Sequence, residues 1–216
     1  MGMVILFLLS HVQYILAAVV AYFCGCINGA ILISKHYLKE DVRTRGSGNA
    51  GLTNFYRNYG PKYAALVIVL DALKMVAAVV IACMILGWGP VPKLIGGLFC
   101  ILGHIFPVTF RFKGGKGILS GVTLLFMLDW RVGLIVLFAA LATMAISKYV
   151  SLGSIVGAFT FPTFIAVFTF LVDKDYNWIV FITSVIMCAL AVWRHRTNIV
   201  RLANGTESKL GKKKEA

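Results

Sequence analysis

The chain is 216 residues long, 60% hydrophobic and 13% charged, against roughly 45–50% apolar and 25% charged residues in a soluble domain. That imbalance excludes a disordered chain and argues against an ordinary cytosolic domain. Lysine and arginine number 21 against 8 acidic residues, a net charge of +13. These charges sit between long apolar runs, which points to a membrane protein and not to a nucleic-acid partner.

A spanning helix needs about 20 largely apolar residues to cross a hydrocarbon core of about 30 Å. Seven candidate runs follow in chain order: Met3–Ile33, Tyr63–Leu86, Leu94–Phe110, Ile118–Leu128, Val132–Ile146, Leu152–Val172 and Trp178–Trp193. The first 34 residues carry no lysine or arginine, unlike a secretory leader with its basic start, so the first run reads as a retained span. Its Gly25-Cys26-Ile27-Asn28-Gly29 stretch marks a kink or a close helix contact.

Asp71 and Lys74 lie three apart in the second run, close enough to pair. Ionisable groups inside a membrane are functional hypotheses by default; a self-neutralising structural pair is the equal alternative. His104, near the end of the third run, either lines a site or bonds a backbone carbonyl at the Pro107 break. Only Asp129-Trp130-Arg131 separates the fourth and fifth runs, and the cost of that cluster at mid-membrane favours two helices over one. The cysteines, at 24, 26, 83, 100 and 188, all lie in apolar runs without metal-type spacing, and read as packing residues. No disulfide and no metal site is expected.

With seven spans, seventeen lysines and arginines fall on one side and three on the other, with Lys74 inside a span. The positive-inside rule then places the N-terminus outside and the C-terminus in the cytoplasm. The expected fold is an all-α polytopic membrane bundle of seven transmembrane helices. Residues 1–210 form one domain, and 211–216 a basic tail read as disordered and near anionic lipid.

Three polar clusters share the cytoplasmic side in this topology. The first is Ser47-Gly48-Asn49-Ala50-Gly51-Leu52-Thr53-Asn54-Phe55-Tyr56-Arg57. As a helix it would align Asn49, Thr53 and Arg57 on one face, a polar stripe with a fixed positive charge suited to an anion; a solvated capping loop is the alternative. The second is Lys113-Gly114-Gly115-Lys116-Gly117. Gly114 and Gly115 would open backbone conformations closed to other residues and leave amide hydrogens exposed, at the start of the fourth span where a helix N-terminus favours phosphate. Lys116 would add charge. The third runs through His195, Asn198, Arg201 and Glu207. His195 and Asn198 would share a face at the end of the last span, with His195 a general base, an anion donor or a polar anchor.

The strings SGNAGLTNFYRN, GHIFPVTFRFKGGKG and HRTNIVRLANGTESK occur in that order. With the segments around Asp71-Ala72-Leu73-Lys74 and Lys148–Ser154, they resemble the bacterial acyl-phosphate:glycerol-3-phosphate acyltransferases over almost the whole chain. Two departures stand out. Gly25-Cys26-Ile27-Asn28-Gly29-Ala30 replaces the family's usual Gly-Ser-Ile-Pro-Phe-Gly, and Ile118-Leu119-Ser120 replaces Val-Ala-Thr. Neither removes a charged site residue.

The resemblance implies a seven-span enzyme of the bacterial inner membrane with its site facing the cytoplasm. It would move a fatty acyl group from acyl phosphate to the first hydroxyl of glycerol 3-phosphate, giving lysophosphatidic acid and inorganic phosphate. Acyl-CoA and acyl carrier protein are not the family's donors. Membrane lipids and the enzyme that supplies acyl phosphate are the implied partners; no cofactor is implied.

The residues suit that chemistry. Two phosphorylated substrates call for cationic pockets, and a sixteen-carbon chain favours bilayer or groove by roughly 10 kcal/mol. Acyl phosphate is a mixed anhydride with a good leaving group, so direct attack needs neither metal nor covalent nucleophile. Arg57, Lys116, His195 and Asn198 would hold glycerol 3-phosphate. Thr53, the Gly114-Gly115 loop and Ser151 or Ser154 would surround the donor phosphate, while Ser47, Asn49 and Asn54 orient the acceptor or brace the loop. The base is His195 or a substrate phosphate oxygen. A small-anion transporter is the rival reading, supported by Asp71, Lys74 and the Asn28 kink, but transporters usually gather such groups at the midplane. A non-catalytic scaffold is weaker still.

Overall fold

The computed structural model describes residues 2–175 and 177–210, and the side chains from residue 11 onward. The tail expected at 211–216 lies outside the described residues. The described chain is helical, and its helices fall into two compact units, Met1–Leu128 and Asp129–Ala216.

In the first unit, α1 (Gly2–Cys26) is followed after a two-residue break by α2 (Gly29–Tyr37). The break has a local cause. Asn28 is extended and its Oδ1 accepts from Ile31 N at 3.0 Å, capping α2. The kink expected near Gly25 is therefore real, and so is the close contact: a Cβ on Gly25 would sit 2.1 Å from the Cys100 carbonyl oxygen. α3 (Leu52–Tyr59) and α4 (Pro61–Leu86) meet at Gly60, and Pro61 starts α4 where its missing N–H costs nothing. α5 (Pro90–Ile105) leads through a 3-10 turn at Val108–Phe110 into a loop, then α6 (Ile118–Leu128).

α1 packs on α4 and α5, α6 packs on both of the latter, and α2 and α3 pack on α4. Beneath α2, α3 and their connecting loop lies an apolar cluster of Ile31, Ile33, Val42, Ala50, Phe55 and Val67. Phe55 is fully buried there, a side chain whose burial is worth roughly 1.5–3 kcal/mol. This cluster anchors α3, which has too few residues to be stable alone.

The second unit holds α7 (Trp130–Ser147), α8 (Val150–Ala166), a π-helical segment at Val167–Val172, α9 (Trp178–Arg194) and α10 (Arg196–Ala203). α8 packs between α7 and α9. Asp129 is the reason α6 and α7 are separate helices, as the sequence suggests: its Oδ1 accepts from Arg131 N at 2.9 Å and caps α7. The same carboxylate grips the Arg131 guanidinium, which also reaches Asp173 and lies 4.2 Å from the Phe168 ring centroid.

Among the described residues, five stretches are long and apolar enough to cross a membrane: His11–Tyr37, Pro61–Leu86, Pro90–Phe110, Trp130–Ser147 and Val150–Val172. α9 with α10 makes a sixth if that pair, bent by 56°, is one broken span. α6 is apolar but has 11 residues, about 16 Å of helix. Large apolar side chains point outward along these stretches, among them Ile15 and Phe23 on α1 and Phe138 and Ile146 on α7, as lipid contact requires.

The close crossing of α1 and α5 depends on small residues. A Cβ on Gly103 would lie 2.0 Å from the Tyr22 carbonyl oxygen, whereas one on Gly121 in α6 would meet nothing closer than 4.0 Å. Gly103→Ala is expected to lower stability by about 1–3 kcal/mol, the range for overpacking. Gly121→Ala is expected to be neutral or stabilising by up to about 1 kcal/mol. Thermal unfolding of the two purified variants in detergent checks both.

Candidate functional site

The first polar cluster of the first unit is a folded loop leading into α3. α3 begins only at Leu52, because Gly51 is extended and serves as its cap. Asn49 therefore lies outside the helix, and the three-residue stripe expected from the sequence reduces to Thr53 and Arg57, one turn apart. Thr53 is half-buried and Arg57 exposed. Asn54 turns inward and is buried. Its Oδ1 accepts from Ser47 N at 2.9 Å, and its Nδ2 donates to Val42 O at 3.2 Å and Arg45 O at 3.0 Å. Of the two roles open to it, Asn54 takes loop bracing. Its Oδ1 would be 2.4 Å from a Cβ on Gly46, whose φ is +57°, so the turn needs glycine on both counts.

Asp41 and Arg43, which the sequence reading passed over, tie this loop to the second cluster. Asp41 caps the 3-10 turn Val42–Thr44, accepting from Arg43 N at 3.0 Å, and takes the Arg43 side chain at 2.9 Å on Oδ1 and 2.7 Å on Oδ2. Arg43 Nη1 then donates to the carbonyls of Phe110 at 2.8 Å and Lys113 at 3.2 Å. That hydrogen-bonded guanidinium pulls the Asp41 carboxyl down to about 2. A signal existed: Asp-Xaa-Arg occurs at 41–43 and again at 129–131, and both copies form a cap with the arginine folded back on the aspartate.

The glycine-lysine loop differs from expectation in its backbone. Gly114 N donates to Ile105 O and Gly115 N to His104 O, both at 3.1 Å. These two amides are engaged by the last turn of α5 and do not form an exposed anion cradle. Neither glycine has a positive φ; in this loop that falls to Gly117, at +78°. The reason for glycine at 114 and 115 is proximity. A Cβ on Gly114 would be 2.0 Å from His104 O, and one on Gly115 would be 2.2 Å from His104 Nε2 and 2.6 Å from Ala50 O. The first and second clusters thus meet at Ala50 and Gly115. Lys116 follows directly, half-buried, before α6.

Behind this junction lie Asp71, Lys74 and His104, all buried. Lys74 Nζ reaches Asp71 Oδ1 at 2.7 Å, His104 Nδ1 at 2.7 Å and Ile27 O at 2.8 Å. His104 Nδ1 is thus turned to Lys74 and not to a carbonyl at the Pro107 break.

In the second unit, His195 is the joint between α9 and α10 and is buried. His195 and Asn198 therefore do not share one continuous helix: the chain bends between them, with Asn198 N donating to His195 O at 2.8 Å. His195 Nδ1 lies 2.8 Å from Ala191 O. A carbonyl only accepts, so Nδ1 carries the hydrogen and Nε2 holds the lone pair of the neutral ring.

Glu207 is the centre of this unit's polar cluster. Its Oε1 accepts from Ser151 Oγ and Asn198 Nδ2, each at 2.8 Å, and its Oε2 from Arg201 Nε at 2.7 Å. Burial pushes its carboxyl up, but the bonds from Arg201, Asn198 and Ser151 outweigh that and hold it below the ordinary glutamate range. Ser151 and Asn198, expected to face substrate, thus share a carboxylate at the first turn of α8, where a negative charge is favoured. Ser154 donates to Val150 O at 3.0 Å within its own helix.

A family model described as glycerol-3-phosphate acyltransferase matches residues 15–205. The glycerol-3-phosphate acyltransferase of Thermoanaerobacter pseudethanolicus is 43% identical over 201 residues, covering 93% of this chain and 98% of the relative. That of Finegoldia magna is 36% identical over 207 residues, covering 94% and 100%. Crystal structures of PlsY, an integral membrane glycerol 3-phosphate acyltransferase, superpose well. The glycerol 3-phosphate form gives a TM-score of 0.81 at 36% identity, over 92% of this chain and 96% of that one. The lysophosphatidic acid form gives 0.79 at 34% identity, over 92% and 95%.

The depressed Asp41 carboxyl sets a pH dependence. Its contribution to stability is full above the ordinary aspartate value of 3.8 and is lost as pH falls through about 2. Asp41→Asn is expected to cost about 1–2 kcal/mol at pH 7, with the gap from the parent chain narrowing as pH drops below 3.8. Unfolding of both proteins in detergent across that range checks the sign.

Proposed function

Because the chain belongs to the glycerol-3-phosphate acyltransferase family, we propose that it transfers a fatty acyl group from acyl phosphate to the 1-hydroxyl of glycerol 3-phosphate. The products are lysophosphatidic acid and inorganic phosphate, the opening step of phospholipid synthesis. The observation that carries this reading is likeness at both levels: more than nine-tenths of the chain aligns with acyltransferases in sequence and with PlsY in structure. Those solved forms of PlsY, a glycerol 3-phosphate form and a lysophosphatidic acid form, agree with the proposed acceptor and product.

The chemistry asks little of the protein beyond holding anions and moving one proton. The acceptor oxygen attacks the acyl carbon, the bond from that carbon to the phosphate oxygen breaks, and phosphate departs with the electron pair. Lys116 and Arg57 hold the phosphate of glycerol 3-phosphate, assisted by Asn198. Thr53, Ser151 and Ser154 serve the donor phosphate, and Ser47 and Asn49 the acceptor's approach. Gly114 and Gly115 contribute by letting the loop lie flat on α5, which displays Lys116. The proton goes to His195 Nε2 or to a phosphate oxygen of a substrate. The ring's Nδ1 anchor on Ala191 O favours the first, since it presents Nε2 as the basic atom.

The same reading carries the topology: a single acyltransferase domain of the bacterial cytoplasmic membrane, with α6 and α9 completing seven spans. The N-terminus lies outside, and the C-terminus and site face the cytoplasm. The enzyme that supplies acyl phosphate is its proposed partner. The anion-transporter reading loses its main support, because Lys74, the cation inside a span, has an acceptor for each of its hydrogens.

Purified protein mixed with palmitoyl phosphate and glycerol 3-phosphate in detergent should release phosphate and form lysophosphatidic acid in equal amounts; formation of neither refutes the reading. Lys116→Ala and Arg57→Ala should each lower turnover about a hundredfold or more while membrane insertion persists. Near-wild-type activity in either removes that residue from the site. His195→Ala should flatten the acidic limb of the pH–rate profile; an unchanged limb with raised KM assigns His195 to binding and the proton to a phosphate oxygen.

A further inference from the structure

Asp71, Lys74 and His104 take no part in the transfer as proposed, yet they are among the most buried polar side chains of the first unit, at 1%, 5% and 3% exposure. A charge so placed is tolerated only with full partnering. Lys74 achieves it: three hydrogens meet three acceptors, on Asp71, His104 and Ile27, at 2.7–2.8 Å. Because His104 Nδ1 accepts from Lys74, the neutral ring keeps its own hydrogen on Nε2, the edge that lies against Gly115.

From these side chains the network runs outward to both cytoplasmic-cluster loops of this unit. The His104 carbonyl accepts the Gly115 amide at 3.1 Å. Asp71 Oδ1 accepts Gly29 N at 3.1 Å, next to Asn28, whose Nδ2 donates to Ala50 O at 3.1 Å. Ser120 Oγ, in the first turn of α6, donates to the Asp71 carbonyl at 3.4 Å. Gly115 precedes Lys116, and Ala50 stands just before the helix that carries Thr53 and Arg57.

Resting on the acyltransferase reading, we infer that Lys74 is a positioning residue for glycerol 3-phosphate. It locks His104 and Asp71, and through them seats Gly115 and Ala50, so that Lys116 and Arg57 are presented to one phosphate. An ion pair that only stabilised could be replaced by apolar side chains of similar volume at little cost. One that seats two loops cannot be replaced without moving them. Sequence alone leaves this role open, because spacing shows Asp71 and Lys74 as a self-contained pair. His104, thirty residues on, is what converts the pair into a link to the loop.

The test is steady-state kinetics on the full chain with palmitoyl phosphate and varied glycerol 3-phosphate, for the parent protein and for Lys74→Met, His104→Leu and His104→Asn. A parent protein without activity would refute the acyltransferase reading itself. With an active parent, Lys74→Met and His104→Leu should raise KM for glycerol 3-phosphate about tenfold or more, because phosphate binding is misaligned. His104→Asn, whose Oδ1 replaces the Nδ1 acceptor, should bring KM back to within about threefold. A structural role alone would lower the amount of active enzyme, and hence apparent kcat, with KM unchanged. That result, or a His104→Asn variant as impaired in KM as His104→Leu, overturns the inference. If Lys74→Met does not fold, the two His104 variants decide it.

Discussion

An ammonium group inside a helix bundle must have an acceptor for each hydrogen, and in the first unit that requirement ties together the backbone behind the proposed anion-binding residues. Lys74 draws on three parts of the chain: a carboxylate one turn earlier in its own helix, the imidazole near the end of α5, and a carbonyl at the α1–α2 break. Two of these residues make a second commitment: Asp71 Oδ1 to Gly29 N, and His104, through its carbonyl, to Gly115 N. The break in the first span, the start of α3 and the glycine-lysine loop are thereby linked by hydrogen bonds in a setting where leaving one unmade costs several kcal/mol.

This arrangement shifts how the glycines are understood. A loop rich in glycine and lysine at a helix start suggests backbone amides turned toward phosphate. Here the amides of Gly114 and Gly115 are bonded to α5, and the absence of a Cβ is what lets the loop approach. In the proposed transfer, the cation that follows, Lys116, would meet the anion from a rigid base. Rigidity would matter for the proposed transfer, whose reactive donor leaves alignment to supply most of the acceleration. In the second unit Glu207 has the comparable part. A buried carboxylate takes one donor each from Ser151, Asn198 and Arg201, fixing the side chains around the His195 joint.

Much of this was legible in the residue order, and the parts that were not share physical causes. Apolar runs located the long helices, and Asp129 located the break between α6 and α7, because a polar cluster is costly in lipid. The polar strings named the family. What failed were inferences that extend helical periodicity across a cap. Asn49 left the stripe because Gly51 starts α3, and His195 parted from Asn198 because the chain bends at the histidine. The glycine amides were misjudged because their partners, Ile105 O and His104 O, are backbone atoms with no signature in sequence. Long-range pairings were equally silent: Arg43 to Phe110, Lys74 to His104, Ser151 to Glu207. The span count is harder to read because α6 is shorter than the hydrocarbon core, so length and hydropathy alone count it differently from its neighbours.

Amide hydrogen exchange at Gly114 and Gly115 tests most directly whether the loop is held from behind. If their N–H groups are bonded to α5 over a buried network, they should exchange about a thousandfold or more slowly than unprotected loop amides, and saturating glycerol 3-phosphate should leave that protection almost unchanged. Rapid exchange in the ligand-free protein, followed by strong protection once the phosphate ligand binds, would mean that the amides themselves receive the anion and that the buried lysine does not seat the loop.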